Sequence, residues 1–234
     1  MKDEIKQILL QYQATTNVRF YNATGQPTVD PTYGFAYPYI DFVYAGSADV
    51  SDSYVGRQGG RQAINLADFV QYQPSAIIHE IGHAIGLLHE QQRPDRDTYI
   101  NVNTSNLTSS GQAQFQKITN NYYIIGTYDY NSVMGYGSYT SSTSVVHDTN
   151  QPMYTKKDGS SIYQGYQLSN LDQSWVNTFY IPYIARSDTY AELDNTVYKQ
   201  DGTVMTAQER LDFQAQLNNG DPNPPACCRI TNNF

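Results

Sequence analysis

The sequence predicts an α+β fold, and three observations indicate it. Short segments at 17–24, 39–46 and 60–67 alternate between apolar and polar residues, which is typical of strands that bury one face. The segment 74–90 carries apolar residues at helical spacing and predicts a helix. Residues 100–167 are rich in Ser, Thr, Asn, Tyr and Gly and predict loops. We therefore expect a twisted mixed sheet and a central helix in the N-terminal half, followed by a loop-rich C-terminal half with one long helix.

Further helices are expected on both sides of the central one. Apolar residues at helical spacing predict helices at 2–13 and 168–181, and a weaker pattern predicts a short helix at 111–118. In the helix at 168–181, Ser169 and Asp172 form a start that resembles a capping box, in which side chains and backbone N–H groups at the helix N-terminus bond to one another.

The end of the chain looks separate from the rest. We divide the chain into a domain at 1–183 and a C-terminal extension of unknown role at 184–234. The extension contains one more predicted helix at 206–220 and a proline-rich linker. Near its end lie two adjacent cysteines, which can be exposed thiols, a vicinal disulfide or partners of a cysteine outside this chain; they are Cys227 and Cys228.

The composition narrows the classes of partner. The 234 residues include 14 Lys and Arg against 22 Asp and Glu, which gives a formal net charge of −8. Such an acidic chain is a poor candidate for binding nucleic acid or anionic membranes. No apolar run approaches the length of a membrane span, and the first residues lack the order of a secretory signal. We expect a monomer that has no nucleic-acid partner and no membrane span.

Three of the four histidines fall in one short stretch, HEIGHAIGLLHEQQRPDRDTYI, at 79–100. On a helix, His79 and His83 lie on one face about one turn apart and can reach a single ion. A third ligand further along requires the helix to end, and Gly86 can take the left-handed conformation that such a turn needs. His89 then completes a set of three nitrogens, which with one water forms a zinc site with an open position.

An open zinc site supports peptide hydrolysis. Zinc polarises a carbonyl and lowers the pKa of its bound water toward neutrality. Glu80 is placed to take the proton of that water and pass it to the leaving amine. A methionine turn is expected beneath such a site, and YDYNSVMGYGSY at 128–139 supplies Met134 as an apolar floor. Tyr136 can bring its phenol to the metal or to the substrate oxyanion.

These residue types also have ordinary structural interpretations. Two histidines four residues apart are more often a coincidence than a ligand pair, and a lone methionine more often fills a core. Here the elongated pattern HExxHxxGxxH is complete, which makes coincidence the weaker interpretation. We interpret His147, which follows a Ser/Thr-rich loop, as a surface residue because the zinc ligand set is already full.

The stretch HEIGHAIGLLHEQQRPDRD resembles the astacin family of metzincin zinc endopeptidases, whose pattern HExxHxxGxxHExxRxDRD it matches at every fixed position. The resemblance extends to SYVGRQGG at 53–60, SVMGY at 132–136 and LSNLD at 168–172. It covers residues 1–183 in outline and implies a metzincin-like fold. The family's two disulfides have no counterpart, which fits a bacterial member.

The resemblance also implies residue roles. The zinc ligands are three of the histidines, namely His79, His83 and His89. Glu80 looks like the general base, and Met134 looks like the residue of the Met-turn. Tyr136 looks like the family's fifth ligand, which moves to steady the oxyanion when substrate binds.

Further roles concern the surroundings of the site. Glu90 looks like the family glutamate that receives the buried N-terminal ammonium of the mature enzyme. Arg93 and Asp95, together with Arg96 and Asp97, are expected to form structural ion pairs beneath the site. The segment RQAINL looks like the edge strand to which an extended substrate adds itself. Its expected substrate contacts are Gln62, Ala63, Ile64 and Asn65.

The sequence departs from the family pattern in several places. Gly135 replaces the usual histidine of the Met-turn. Gly165 stands where many members have an arginine that favours acidic residues after the cleaved bond. Lys156 and Lys157 are nearby cations that can substitute for it, although exposed loop lysines are more often only solvated. The chain also opens directly at its first helix, so the family's first strand is missing from it.

The predicted function is that of a zinc metalloendopeptidase with one catalytic Zn²⁺, acting on extended segments of proteins or peptides. The resemblance implies a secreted protein whose signal peptide and any propeptide lie outside this chain. The alternative is a catalytically impaired metzincin-fold protein that binds zinc or serves in adhesion. The missing first strand and Gly135 motivate this alternative.

Overall fold

We describe the protein from a computed structural model, which defines residues 1–20, 22–48, 50–180, 206 and 208–209. The extension predicted at 184–234, with both cysteines and all but three positions of its helix, lies outside the described residues.

A three-stranded mixed sheet forms the framework of the N-terminal half. β1 (Tyr39–Tyr44) runs parallel to β3 (Arg61–Leu66), and the short β2 (Asp52–Ser53) pairs antiparallel with the other side of β3. The strands expected at 39–46 and 60–67 are confirmed. Every second residue of β3 is buried, as a strand with one buried face requires.

β3 is the central strand of this sheet, so the expectation that RQAINL is an edge strand is wrong. Ile64 and Asn65 pair with β2, and Ala63 pairs with β1 on the opposite side. Gln62 is buried and donates to the carbonyl oxygen of Tyr54, the residue after β2 (2.9 Å). A strand of two residues has no readable alternation, and for this reason nothing in the sequence predicted the strand that covers β3.

The strand predicted at 17–24 is also wrong. The described part of this segment forms no strand, and side chains bond its backbone instead. Asn177 accepts from the N–H of Asn17 (2.7 Å), and Gln13 accepts from the N–H of Phe20 (3.0 Å). The alternate apolar residues therefore anchor an irregular segment to the core, where no pleated strand is present.

Two helices and the sheet enclose the main core. α2 (Ser75–Ala84) packs against β2 and β3 and is buried along nearly all of its length. α1 (Lys2–Thr15) packs beside it, and the hydroxyl of Tyr12 donates to the carbonyl oxygen of Ile78 at 2.6 Å. Because Tyr12 is fully buried, this bond satisfies a polar atom that would otherwise destabilise the core.

The C-terminal half consists mostly of loops, as expected. Its regular elements are β4 (Ile100–Val102) and β5 (Tyr154–Lys156), which pair antiparallel, α3 (Ser109–Gln114) and α4 (Asn170–Phe179). A second core of aromatic and aliphatic residues includes Ile100 of β4 and Tyr154 of β5, whereas Val176 of α4 belongs to the main core. The predicted capping box of α4 is confirmed, with reciprocal bonds between Ser169 and Asp172. Within the described residues, no helix combines the length and the hydropathy that crossing a membrane requires.

Candidate metal centre

The helix predicted over 74–90 ends early, with α2, and this brings the third histidine back to the other two. Gly86 has φ +113°, a left-handed conformation that strains other residues far more than glycine. Its N–H donates to the carbonyl oxygen of His83 (2.9 Å), and the N–H of Leu87 donates to that of Gly82 (2.9 Å). This pair of bonds is the Schellman arrangement that closes a helix C-terminus.

The Nε2 atoms of three histidines converge on one point. Nε2 of His89 lies 3.1 Å from Nε2 of His79 and 3.1 Å from Nε2 of His83. In the part of the chain that the structure describes, these residues form the one group of possible metal ligands. The three ligand positions predicted from the sequence are therefore brought together.

Carbonyl oxygens decide which nitrogen carries the proton in two of these rings. Nδ1 of His79 lies 2.8 Å from the carbonyl oxygen of Val133, and Nδ1 of His83 lies 2.9 Å from that of Leu87. A carbonyl oxygen can only accept, so each Nδ1 holds the proton and donates it. Each Nε2 then turns its lone pair toward the common point.

This arrangement fits a zinc ion. Burial lowers the pKa of all three histidines, to about 4 for His83, where the neighbouring His79 adds to the effect. The rings are therefore neutral ligands at neutral pH. Lone pairs 3.1 Å apart repel one another unless a cation lies among them. Nitrogens bound at about 2.0–2.1 Å to a tetrahedral zinc lie roughly 3.3 Å from one another, close to the observed spacing.

Glu80 follows the first of these histidines on α2 and is buried, with 6% of its surface exposed. Its Oε2 atom has no hydrogen-bond partner among the described residues. Burial, and to a smaller extent the charge of Asp52, raise the pKa of Glu80 to about 8. Without a cation nearby this carboxyl group is therefore largely protonated at neutral pH, and a zinc ion held by the histidines would favour its ionised form, which can accept a proton from a neighbouring water.

Met134 is fully buried and packs against α2. The contact is so close that a Cβ atom on Gly82 would lie 2.6 Å from the Met134 sulfur. The loop that carries the methionine is held locally, because the N–H of Met134 donates to Oγ of Ser132 (3.0 Å). The methionine thus contacts the helix turn between the two histidines of α2.

Tyr136 lies beside the third histidine, with its ring centroid 4.8 Å from that of His89. Its hydroxyl donates to Oε1 of Gln114 (3.2 Å), and its N–H donates to Oε1 of Gln91 (3.3 Å). Burial, followed by the charge of Glu80, raises the pKa of Tyr136 to about 12. The phenol therefore keeps its proton at neutral pH and remains a hydrogen-bond donor.

A group of charged residues lies behind the third histidine. Arg93 donates to Glu90 (3.0 Å) and pairs with both carboxylate oxygens of Asp95 (2.9 and 3.0 Å). Burial raises the pKa of Glu90 to about 7, although the N–H of Asp129 and the charge of Arg93 act in the opposite direction. Pairs of this kind fix geometry more surely than they add stability.

Glu90, which is predicted to receive the ammonium of a mature N-terminus, does not contact the nitrogen of Met1 in the described structure. The nitrogen of Met1 lies 3.0 Å from Oε2 of Glu4. Glu90 instead accepts from Arg93 and from the N–H of Asp129 (2.7 Å) through the same oxygen. A side chain and a loop N–H therefore hold this oxygen of Glu90.

The structure shows which groups surround the residues that depart from the family pattern. A Cβ atom at Gly165 would lie 2.4 Å from the carbonyl oxygen of Asn131, so backbone fills the space of any side chain there. The ammonium of Lys156 lies 4.9 Å from the ring centroid of Tyr130. Two more residues have ordinary surface roles: Lys157 donates to Asn101 (2.9 Å), and His147 is exposed.

Two buried residues to which the sequence assigned no role at the metal centre form hydrogen bonds with the residues around it. Gln91 is fully buried and accepts from Tyr136, while its Nε2 has no partner among the described residues. Asp172, which the sequence marked only as a helix cap, accepts from the hydroxyl of Ser132 (2.7 Å) and from the N–H of Val133 (3.1 Å). Their partners are distant in sequence, so no periodic pattern marks them.

Known proteins resemble this chain in sequence and in fold. A sequence model of the peptidase family described as Astacin matches residues 1–181. Zinc metalloproteinase nas-15 of Caenorhabditis elegans is 38% identical over 131 residues, which cover 55% of this chain and 22% of that protein. The astacin-like metalloendopeptidase of Gallus gallus is 36% identical over 141 residues, which cover 60% of this chain and 34% of that protein. The chain therefore spans well under two thirds of either relative.

Among solved structures, the chain is similar to high choriolytic enzyme 1, a hatching enzyme zinc-protease from Oryzias latipes. The TM-score is 0.63 at 26% identity, and the match covers 77% of this chain and 82% of that one.

Proposed function

The chain belongs to the astacin family of peptidases, and from this premise we propose that it is a zinc-dependent metalloendopeptidase that hydrolyses peptide bonds in proteins. One observation carries the proposal: three neutral histidine nitrogens converge next to a buried glutamate. The curated relatives, of which the chain spans about a fifth to a third, are named as metalloproteinases or metalloendopeptidases.

Each side chain of the site has its own role in the proposed mechanism. His79, His83 and His89 would hold the ion. When bound, zinc polarises the scissile carbonyl and lowers the pKa of a water molecule. Glu80 accepts the proton of the attacking water and passes it to the leaving amine. Its burial supports this role, because a poorly solvated carboxylate is a stronger base than an exposed one.

Tyr136 donates a hydrogen bond to the carbonyl oxygen of the substrate as negative charge develops there. Its raised pKa supports the role, since the phenol is protonated at neutral pH. Its hydroxyl donates to Gln114 in the structure, so the role requires the exchange of one acceptor for another. Met134 supports the histidine-bearing helix from below as the Met-turn residue.

The extended substrate lies along β2 and not along β3. β3 is paired on both sides, whereas no strand in the described part of the chain pairs with the outer side of β2. A peptide in extended form can add itself to such an edge through backbone hydrogen bonds. The metal centre is close, because the N–H of Gly56, shortly after β2, donates to the carbonyl oxygen of His83 (2.8 Å). This geometry favours unfolded or extended protein segments as substrates.

The proposal includes the organisation of the whole chain. Residues 1–183 form the catalytic domain and 184–234 form an extension, in agreement with a family match that ends at residue 181. The protein acts outside the cell as a monomer. The alternative, a zinc-binding protein without turnover, gains no support from the described residues, because Tyr136 packs against His89 and the charge of Glu80 acts on Tyr136.

The test uses the purified chain with one equivalent of zinc, assayed on casein and on a quenched fluorescent peptide. Glu80→Gln is expected to reduce cleavage by about 10²–10⁴-fold, because the proton acceptor is lost. Its zinc content should stay at that of the parent protein. Glu4→Gln is the matched control, since this carboxylate pairs with the Met1 ammonium and should leave cleavage unchanged.

Two outcomes would contradict the proposal. Full cleavage by a zinc-loaded Glu80→Gln variant would remove Glu80 from the mechanism. Stoichiometric zinc in a parent protein that cleaves neither substrate would favour the non-catalytic alternative.

A further inference from the structure

Asp172 lies in the first turn of α4, yet most of its carboxylate bonds lead away from the helix. Oδ1 accepts from the hydroxyl of Ser132 (2.7 Å), and Oδ2 accepts from the N–H of Val133 (3.1 Å). Oδ2 also accepts from the N–H of Ser169 (3.0 Å), which is the capping contact. Two of the three donors therefore belong to the loop at 132–134, and one belongs to the helix start.

Both polar backbone groups of Val133 are held. Its N–H donates to Asp172, and its carbonyl oxygen accepts from Nδ1 of His79 (2.8 Å). The next peptide is fixed as well, since the N–H of Met134 donates to Oγ of Ser132 (3.0 Å). Val133 is completely buried, so no water can replace a lost partner.

We propose that Asp172 is a positioning residue of the metal centre, which fixes the loop at 132–134 so that the Val133 carbonyl orients the His79 ring and keeps the proton on Nδ1. Nε2 of His79 then faces the other histidines with its lone pair. Outer groups that orient a metal ligand typically contribute about 10–100-fold to metal affinity. The inference rests on zinc binding by the histidines and does not require the peptidase activity.

The electrostatic setting of Asp172 supports this role. Burial raises the pKa of its carboxyl group, against the opposing effect of the hydrogen bonds from Ser132, Ser169 and Val133. None of the ion pairs among the described residues includes Asp172. A buried carboxylate without a cation destabilises a protein unless donors surround it. Here two of the three donors belong to the loop at 132–134.

Three substitutions separate positioning from capping. Asp172→Ala removes both functions. Ser169→Ala removes the hydroxyl that receives the N–H of Asp172 (2.9 Å) and a bond to Asp129, but it leaves the bonds from Asp172 to the loop. Asp172→Asn is the conservative rescue, because its oxygen can accept from Val133 while its amide donates to Oγ of Ser132.

The first readout is the tautomer of each histidine in the metal-free protein, measured by long-range ¹H–¹⁵N NMR. The chain has 4 histidines, so their signals can be assigned. In the parent protein His79 and His83 are expected to carry the proton on Nδ1. Asp172→Ala should move His79 away from this tautomer. His83 is the internal control, because its Nδ1 bonds to Leu87, outside the loop.

The second readout is zinc affinity, measured by competition with a chelator. Asp172→Ala is expected to lower it about 10–100-fold, whereas Asp172→Asn and Ser169→Ala should stay within about threefold of the parent. If Asp172→Ala and Ser169→Ala lost equal zinc affinity, the effect would belong to the helix cap and the proposal would be overturned. An unchanged His79 tautomer in Asp172→Ala would also overturn it.

A second variant serves if Asp172→Ala does not fold, as judged by circular dichroism. Ser132→Ala keeps the capping box and removes the loop hydroxyl that joins Asp172 to Met134. The proposal then expects a shift of the His79 tautomer, and the absence of a shift overturns it. Cleavage is not among the readouts, so a failure here is distinct from a failure of the proposed peptidase activity.

Discussion

The sulfur atom of Met134 lies against Gly82, in the turn of α2 that separates the two histidines of that helix. A Cβ atom at position 82 would lie 2.6 Å from this sulfur, inside any normal contact distance. The helix can approach the methionine this closely because glycine occupies position 82. The contact packs the loop at 132–134 against α2. Two segments that are distant in sequence thus support the metal centre together.

Gly82→Ala is expected to weaken zinc binding severalfold with little change in stability. The alanine gains about 1 kcal/mol of helix propensity, which offsets the cost of displacing the flexible end of Met134. The displacement occurs between two ligands, so zinc affinity should respond more than the free energy of unfolding. Gly135→Ala is the control, because a Cβ there meets its neighbours at 3.5 Å or more. Equal zinc affinities in the two variants would contradict the prediction.

Gly86→Ala is expected to reduce both stability and zinc affinity. The residue has φ +113°, and a Cβ would also lie 3.2 Å from the Trp175 ring. The left-handed conformation alone costs a non-glycine residue roughly 1–2 kcal/mol. Gly159→Ala isolates this cost, since Gly159 has φ +85° and open space around it. Urea unfolding should show a larger loss for Gly86→Ala, and zinc affinity should fall in that variant alone.

The metal centre could be predicted from the sequence because its ligands follow local rules. His79 and His83 share a helix face, and Gly86 ends the helix in a known way, so position in the chain determines position in space. The helix start at Ser169 follows a local rule as well. These features needed no knowledge of tertiary contacts.

The features that sequence analysis missed or misjudged depend on distant contacts. β2 has two residues and no readable alternation, so the sequence alone predicts β3 as an edge strand. The segment at 17–24 alternates, but its backbone bonds to side chains of other elements. The bond between Ser132 and Asp172 spans 40 residues and leaves no local pattern. Such contacts are decided by the packing of the whole domain.

Asp30 is expected to make stability depend on pH in the acid range. Its carboxylate accepts from the N–H groups of Tyr33 (2.7 Å) and Thr32 (2.8 Å) and from the hydroxyl of Tyr37 (2.8 Å). These bonds, with that from Tyr33 first, hold the pKa of Asp30 below its ordinary value. The folded state therefore releases this proton at a lower pH than the unfolded state does.

It follows that Asp30 stabilises the fold above the unfolded pKa of about 3.9, and that this contribution is lost as the pH falls through the lower folded pKa. Asp30→Asn should consequently destabilise the protein more at neutral pH than in strong acid, as measured by urea unfolding at both. Tyr37→Phe should reduce the dependence of stability on pH, because Asp30 loses one of its hydrogen-bond donors. A destabilisation that is the same at both pH values would contradict the assignment.

Tyr136→Phe is expected to lower kcat by about 10–10³-fold with little change in KM, because in the proposed function the phenol donates to charge that develops in the transition state. Zinc content should be unaffected. Tyr163→Phe is the matched control, since that tyrosine is 85% exposed. A raised KM with an unchanged kcat would show instead that Tyr136 binds the ground state of the substrate.

Zinc is expected to stabilise the folded chain as a direct consequence of the histidine geometry. In the folded chain, Nε2 of His89 lies 3.1 Å from Nε2 of His79 and from Nε2 of His83, so their lone pairs repel one another. A bound ion relieves this repulsion, which is absent from the unfolded chain. Binding to the folded state alone adds about 2.7 kcal/mol at a free zinc concentration 100 times Kd, so Tm should rise steadily with zinc. His83→Ala should abolish this rise, and His147→Ala, at an exposed position, should retain it. A rise in Tm that survives His83→Ala would place the stabilising ion elsewhere on the protein, because two remaining histidines cannot reproduce the relief of three converging lone pairs.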